Sequence, residues 1–173
     1  MNDSFWKERR VLLTGHTGFK GTWMALMLEY LGAKVCGYSL PIEPTSFYKS
    51  VRPNVDKCVE ADIADPYIVT NIINDYKPEI VFHFAAHSSL QGSMEIPGYI
   101  LKTNLLGTLN ILEAVRQSDT VQAVVVVTSD KCYLNFNKNE PYEEESVLWA
   151  TDPYSASKVG QELLAACYKD TFF

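Results

Sequence analysis

Short uninterrupted apolar runs alternate along this chain with longer stretches in which apolar residues recur every three or four positions. Val11-Leu12-Leu13-Thr14 is the first run and Lys34-Val35-Cys36-Gly37 the second, with a helical pattern ending near Gly32 between them. Asp56 to Ala61 alternates as a strand does, and Asp62 closes it. Asp65-Pro66 predicts a helix start, because aspartate caps free N–H groups and proline suits the first turn. Ile68, Val69, Ile72 and Ile73 give that helix an apolar face through Tyr76. Glu79 to Phe84 is continuously apolar, as a strand buried on both faces is, and Val121 to Val127 is the most hydrophobic run of all. A polar loop is expected from Ala85 to Ser93. A helix follows from about Gly98 to Ser118, carried by Leu101, Leu105, Leu109, Leu112 and Val115. Leu40 to Asn54, with Pro41, Pro44 and Pro53, reads as an irregular connection, and Asn135 to Thr151 as a polar, acidic loop. Asp152-Pro153 opens a last helix that runs almost to Phe173.

Strands alternating with helices, without an internal repeat, predict an α/β Rossmann-like fold. This is a doubly wound parallel sheet of about five strands in the order 3-2-1-4-5. One domain spanning residues 1–173 is expected. Right-handed crossovers bring the loop after the first strand, Asp62, the Ala85–Ser93 loop and the Thr128–Lys131 loop to one sheet edge, where they line a single crevice. Val121 to Val127 has the hydrophobicity of a central strand, yet no further strand follows it. An uncovered apolar edge invites pairing. The expectation is an amino-terminal portion of a longer protein, or a homo-oligomer joined through that edge.

Composition narrows the partners. A formal net charge of −6 disfavours nucleic acid, which needs a basic face. No run approaches the roughly 18 apolar residues of a membrane helix, and the polar Met1–Arg10 lead precedes no signal-peptide core. Cys36, Cys58, Cys132 and Cys167 lack C-x-x-C spacing and read as buried free thiols in a reducing, cytoplasmic setting, with no metal site.

Two groups of residues carry chemistry. Gly15-His16-Thr17-Gly18-Phe19-Lys20-Gly21 follows a strand and opens a helix. In that context Gly15 permits the turn, Gly18 admits a pyrophosphate, and Gly21 lets the helix pack closely, with free N–H groups aimed at the anion. A dinucleotide site is the reading. Tyr154 and Lys158 are four apart at a helix start and stack on one face. An ammonium beside a phenol favours the phenolate, which makes a general base for a sugar hydroxyl. By itself this pair also fits a solvated helix face. His83, on an apolar strand, reads as a satisfied core histidine. The second strand ends in Gly37-Tyr38-Ser39, with neither the acid that grips an NAD ribose nor an arginine for a 2′-phosphate, so the residues leave NAD and NADP open.

In combination these segments resemble the extended short-chain dehydrogenase/reductase superfamily along the whole chain. Within it, the glycine loop with its His16 and Lys20, Gly37-Tyr38-Ser39-Leu40-Pro41, Thr128-Ser129-Asp130-Lys131-Cys132-Tyr133 and Asp152-Pro153-Tyr154-Ser155-Ala156-Ser157-Lys158 are similar to the CDP-glucose 4,6-dehydratase family. The resemblance implies a lyase on tightly held NAD, in deoxysugar and lipopolysaccharide O-antigen biosynthesis, with a nucleotide sugar as substrate. It implies Tyr154 as the base at the sugar 4-hydroxyl, Ser129 polarising the 4-oxygen and Asp130 protonating the departing 6-hydroxyl. Lys131 becomes the C5 base, a role that requires a depressed pKa. It also implies cofactor contacts from Asp62 and Ile63 at the adenine, from Ser39 and Thr128, from Ala85-Ala86-His87 on the adenosine side, and from Thr103 and Asn104 near the nicotinamide. His16 and Lys20 are placed over the pyrophosphate. Leu90-Gln91-Gly92-Ser93-Met94 and Trp149-Ala150-Thr151 depart from the family on the substrate side. The family's carboxyl-terminal substrate domain is absent, so weak NAD binding and little turnover are expected of this chain. The alternatives are a nucleotide-sugar epimerase or reductase, which needs no Asp130-Lys131, and a non-catalytic dinucleotide-binding fragment.

Overall fold

The computed structural model describes residues 3–135 and 140–173. Parallel strands β1 (Arg10–Thr14), β2 (Lys34–Ser39), β3 (Lys57–Glu60), β4 (Ile80–His83) and β5 (Ala123–Val126) form one sheet. Their order is β3-β2-β1-β4-β5, as expected. The helices are α1 (Asp3–Trp6), α2 (Phe19–Tyr30), α3 (Phe47–Val51), α4 (Pro66–Tyr76), α5 (Leu90–Glu95), α6 (Pro97–Leu101), α7 (Gly107–Arg116) and α8 (Pro153–Phe172).

The period-2 alternation of β1 divides the core. Leu12 faces a cluster with Tyr38, Val69, Ile73, Val81, Ile111 and Val115, beneath α4 and α7. Val11 and Leu13 face the other side, with Ala25, Leu28, Val35 and Ile80 beneath α2. Trp6 of the polar amino-terminal lead joins this second cluster. Helix starts follow their capping residues. Asp65 accepts from the N–H groups of Tyr67 and Ile68 at 2.9 and 3.3 Å, and Asp152 accepts from Ser155 N at 2.8 Å.

Two local expectations change and one holds. The Ala85–Ser93 loop gives way to α5 at Leu90, because Ser89 caps a short helix by accepting from Gly92 N at 2.9 Å. The helix expected from Gly98 begins at Pro97 and contains a π-helical turn over Lys102–Leu106, in which Thr103 and Asn104 are buried. The run from Val121 to Val127 is the sheet edge that the strand order predicts: among the described residues it pairs with β4 alone, and Val125 remains 43% exposed. The polar loop from Asn135 lies partly outside the described residues. Among the described residues, no helix is long and apolar enough to cross a membrane. Cys36 and Cys132 are buried free thiols, but Cys58 and Cys167 are exposed, so burial of all four does not hold.

Candidate active site

The carboxyl ends of the strands open onto a crevice of about 810 Å³, toward the upper end of the 300–1,000 Å³ typical of ligand pockets. Gly15, Thr17, Gly18, Phe19, Lys20 and Gly21 line it from the glycine loop, Ser39 from β2, and Asp62 and Ile63 from the β3–α4 turn. Ala85, Ala86 and His87 enter after β4, Thr103 from the π-turn, Thr128 after β5, and Tyr154 and Lys158 from α8.

The glycine loop is fixed by backbone contact. Gly15 has φ +69°, and a Cβ there would lie 2.7 Å from Ala85 N. A Cβ on Gly21 would lie 2.1 Å from the Gly15 carbonyl, so α2 starts as close to β1 as a bare backbone allows. The first turn of α2 meets the crevice, with Gly18, Phe19, Lys20 and Gly21 lining it, and its free N–H groups suit an anion. Asp62 stands opposite, with Oδ1 accepting from Ala64 N at 2.9 Å. Tyr38 on β2 donates its hydroxyl to the Asp62 carbonyl at 2.9 Å and fixes that turn.

Two residues expected over the cofactor lie elsewhere. The His16 ring is buried beneath the loop, against Gly37 and edge-on to Tyr48, with Nε2 3.7 Å from Cys58 Sγ. It does not line the crevice, and burial lowers its pKa. Asn104 is fully buried too. Its Oδ1 accepts from His87 N at 2.8 Å, and its Nδ2 donates to the His87 carbonyl at 3.2 Å and to Ser157 Oγ at 2.8 Å. It clamps the loop after β4 onto α8 rather than facing a ligand. His83 is the satisfied core histidine expected, with Thr14 Oγ1 and Thr108 Oγ1 at 2.8 and 3.0 Å. Burial, helped by the nearby Lys158 charge, takes its pKa down to about 3.

On α8, Lys158 is only 3% exposed, and its Nζ lies 5.9 Å from the centre of the Tyr154 ring. Burial first, and the charge of Lys20 second, draw its pKa down to about 8. Thr128 donates its hydroxyl to Glu162 of α8. Ser129, Asp130 and Lys131 follow β5 at the same sheet edge but stand outside the crevice lining. They are bonded to one another: Ser129 Oγ donates to Asp130 Oδ1 at 3.1 Å, and Lys131 Nζ donates to Asp130 Oδ2 at 3.1 Å. That ion pair lowers the Asp130 pKa and raises that of Lys131, the reverse of the depressed value expected of a C5 base.

The sequence reading missed Gln161, Thr108 and Glu162, which touch Lys158, His83 and Thr128 from behind. None sits in a recognisable motif. The helical spacing from Lys158 to Gln161 and Glu162 was the available signal.

Residues 12–172 match the family model for GDP-mannose 4,6 dehydratase. The chain belongs to this family. A CDP-glucose 4,6-dehydratase of Salmonella typhimurium is 43% identical over 176 aligned positions, covering 100% of this chain and 49% of that protein. A dTDP-glucose 4,6-dehydratase of Xanthomonas campestris pv. campestris is 30% identical, covering 93% and 49%. Among solved structures, the UDP-glucose 4-epimerase from Brucella ovis in complex with NAD superposes with a TM-score of 0.82 at 29% identity, covering 95% of this chain and 49% of that one. The chain thus spans about half the length of the relatives it matches. The 4,6-dehydratase family resemblance read from the sequence stands, and so does the Rossmann-like fold.

Proposed function

We propose that this chain is the dinucleotide-binding half of a nucleotide-sugar 4,6-dehydratase that uses NAD and acts on CDP-glucose. The observation that carries this reading is the meeting of the glycine loop, Asp62, Tyr154 and Lys158 on one crevice, with Ser129-Asp130-Lys131 at the same sheet edge. The residues fit a dinucleotide. The free N–H groups at the α2 start, with the charge of Lys20 in the same turn, suit the pyrophosphate, and Asp62 with Ile63 suits an adenine. Ala85, Ala86, His87 and Thr128 complete the walls. Support for NAD comes from the Brucella relative's complex. Support for CDP-glucose comes from the Salmonella relative's name and its 43% identity over the whole of this chain.

Bound NAD would supply a two-electron acceptor that takes hydride from the sugar C4 and returns it at C6. Tyr154 takes the 4-hydroxyl proton, with the charge of Lys158 opposing the negative oxygen that results. Ser129 hydrogen-bonds the 4-oxygen. Asp130 gives a proton to the departing 6-hydroxyl, and Lys131 removes the C5 proton. In the resting ion pair both groups hold the wrong charge state. One proton passing from Lys131 Nζ to Asp130 Oδ2 along their 3.1 Å hydrogen bond yields a neutral acid and a neutral base. Taking the pair out of water favours that neutral form.

Thermal melting during titration with NAD and NADP tests the cofactor, since a ligand that binds the folded state alone raises the melting temperature. NAD is expected to raise it; no response to either dinucleotide sinks the reading. Incubation of the full-length enzyme with CDP-, UDP- and dTDP-glucose, assayed for 4-keto-6-deoxyhexose, tests the substrate: product from CDP-glucose is expected to dominate there, with little or none from this half alone. Asp130→Asn separates a dehydratase, which loses elimination, from a 4-epimerase, which keeps its activity.

A further inference from the structure

Lys158 is held from behind by a side chain that none of the site's motifs includes. Its Nζ donates to Gln161 Oε1 at 2.6 Å and to the Val127 carbonyl at 3.3 Å. Gln161, 1% exposed, sends its Nε2 to Thr108 Oγ1 at 2.6 Å. Thr108 donates to the Asn104 carbonyl at 2.8 Å and faces His83 Nε2 at 3.0 Å. His83 Nδ1 meets Thr14 Oγ1 at 2.8 Å, and the same oxygen accepts from Phe84 N and Ala85 N at 3.1 and 3.0 Å.

Counting protons gives this buried chain a single direction. The Thr108 hydroxyl spends its only proton on the Asn104 carbonyl, so its lone pairs accept from both Gln161 and His83. His83 therefore carries its proton on Nε2 and accepts at Nδ1 from Thr14. The Gln161 amide then has one admissible orientation. Flipped, it would set its NH₂ against an ammonium and its carbonyl against an oxygen with no proton left to give.

We propose that Gln161 is the positioning residue for Lys158, tying Nζ to the Thr108–His83 chain so that one N–H remains for the crevice and Tyr154. The proposal deepens the function above, because Lys158 is the lysine of that site. The charged and titratable groups facing Lys158 are Lys20 from α2, His83 from β4, Cys132 from the turn after β5, and Tyr154 and Glu162 from α8 itself. Against that surround, a neutral amide acceptor supports the buried ammonium without locking it into an ion pair. A carboxylate in its place would hold the ammonium charged, and a hydrocarbon would favour the neutral amine.

The test is the titration of Lys158 Nζ by ¹⁵N NMR in the lysine-labelled chain, the resonance being assigned by its loss in Lys158→Met. Gln161→Leu is expected to move the midpoint down, and Gln161→Glu up, by about one pH unit or more each, with backbone amide spectra otherwise preserved. Shifts of the same sign, or no shift in folded variants, overturn the proposal. If Gln161→Leu does not fold, the near-isosteric Gln161→Glu decides alone, and an unmoved midpoint refutes it. The measurement needs no dinucleotide. A chain that shows opposite shifts but binds no NAD keeps this inference and loses the assignment of the crevice.

Discussion

The glycine-loop end of the crevice and the β5 exit beside it are held by different forces. At the glycine-loop end, position is set by backbone against backbone: Gly15 on Ala85, Gly21 on Gly15, and Thr14 Oγ1 receiving two N–H groups of the β4 exit. At the β5 end, Ser129, Asp130 and Lys131 are held by bonds among their own side chains, and the Asp130 and Lys131 side chains are 65% and 55% exposed. The first arrangement leaves no freedom and needs no ligand to be complete. The second is a set of charges that neutralise each other until something displaces water from them. Backbone geometry is built in advance at the first, whereas side-chain geometry at the second is left adjustable.

Breaking the rigid end should cost most. Gly21→Ala places a methyl group where the Gly15 carbonyl already stands. Forced overpacking of that kind costs about 3 kcal/mol. For a chain of this size that lowers the melting temperature by roughly 6–12 °C. A melt within a degree or two of the parent would show that the loop is softer than its contacts imply.

Lys158 lies between the two ends and gives an intermediate, pH-dependent effect. Its folded pKa of about 8 is below the value of about 10.4 in an unfolded chain. Between those values the unfolded state binds more protons, so this group's contribution to stability rises with pH across that window. Below pH 8 the folded state carries the full penalty of a buried charge. Lys158→Met should therefore melt above the parent at pH 6–7, by an amount on the order of 1–3 kcal/mol, and the advantage should shrink as pH rises toward 10. A difference that is flat with pH would mean that Lys158 keeps the same pKa in the fold as in the unfolded chain.

The adjustable end should give the smallest response. Asp130→Asn removes an exposed ion pair worth about 0.5 kcal/mol or less, so melting should move by a degree or two at most. The same change should abolish elimination in an active dehydratase. A large loss of stability would place Asp130 in the structural framework and erase the contrast between the ends.

What the sequence made legible divides along the same line. The strand order, the helix starts at Asp65 and Asp152 and the crevice lining follow from period, capping and topology, which are local or nearly so. His16 and Asn104 did not follow. Their positions in a motif put them near a ligand, but side-chain direction depends on what lies behind the loop. A bare Gly37 makes room for one ring, and the His87 backbone captures the other amide. Gln161 was invisible for a related reason. Its value comes from Thr108 and His83, 53 and 78 residues away, which only the assembled sheet and helices bring to it. The Lys131 pKa went the opposite way from expectation because its sequence neighbour Asp130 became its partner.

The packing of His16 on Gly37 bears on how this scaffold can vary. A Cβ at position 37 would come within 2.5 Å of the imidazole, which is buried against Tyr48 and cannot swing into solvent. Positions 16 and 37 are therefore one unit of inheritance. A bulkier residue in β2 can be accepted only alongside a smaller one in the loop, and a single exchange at either site leaves a collision or a void. Libraries that diversify the glycine loop while holding β2 constant will miss every solution in which both have moved.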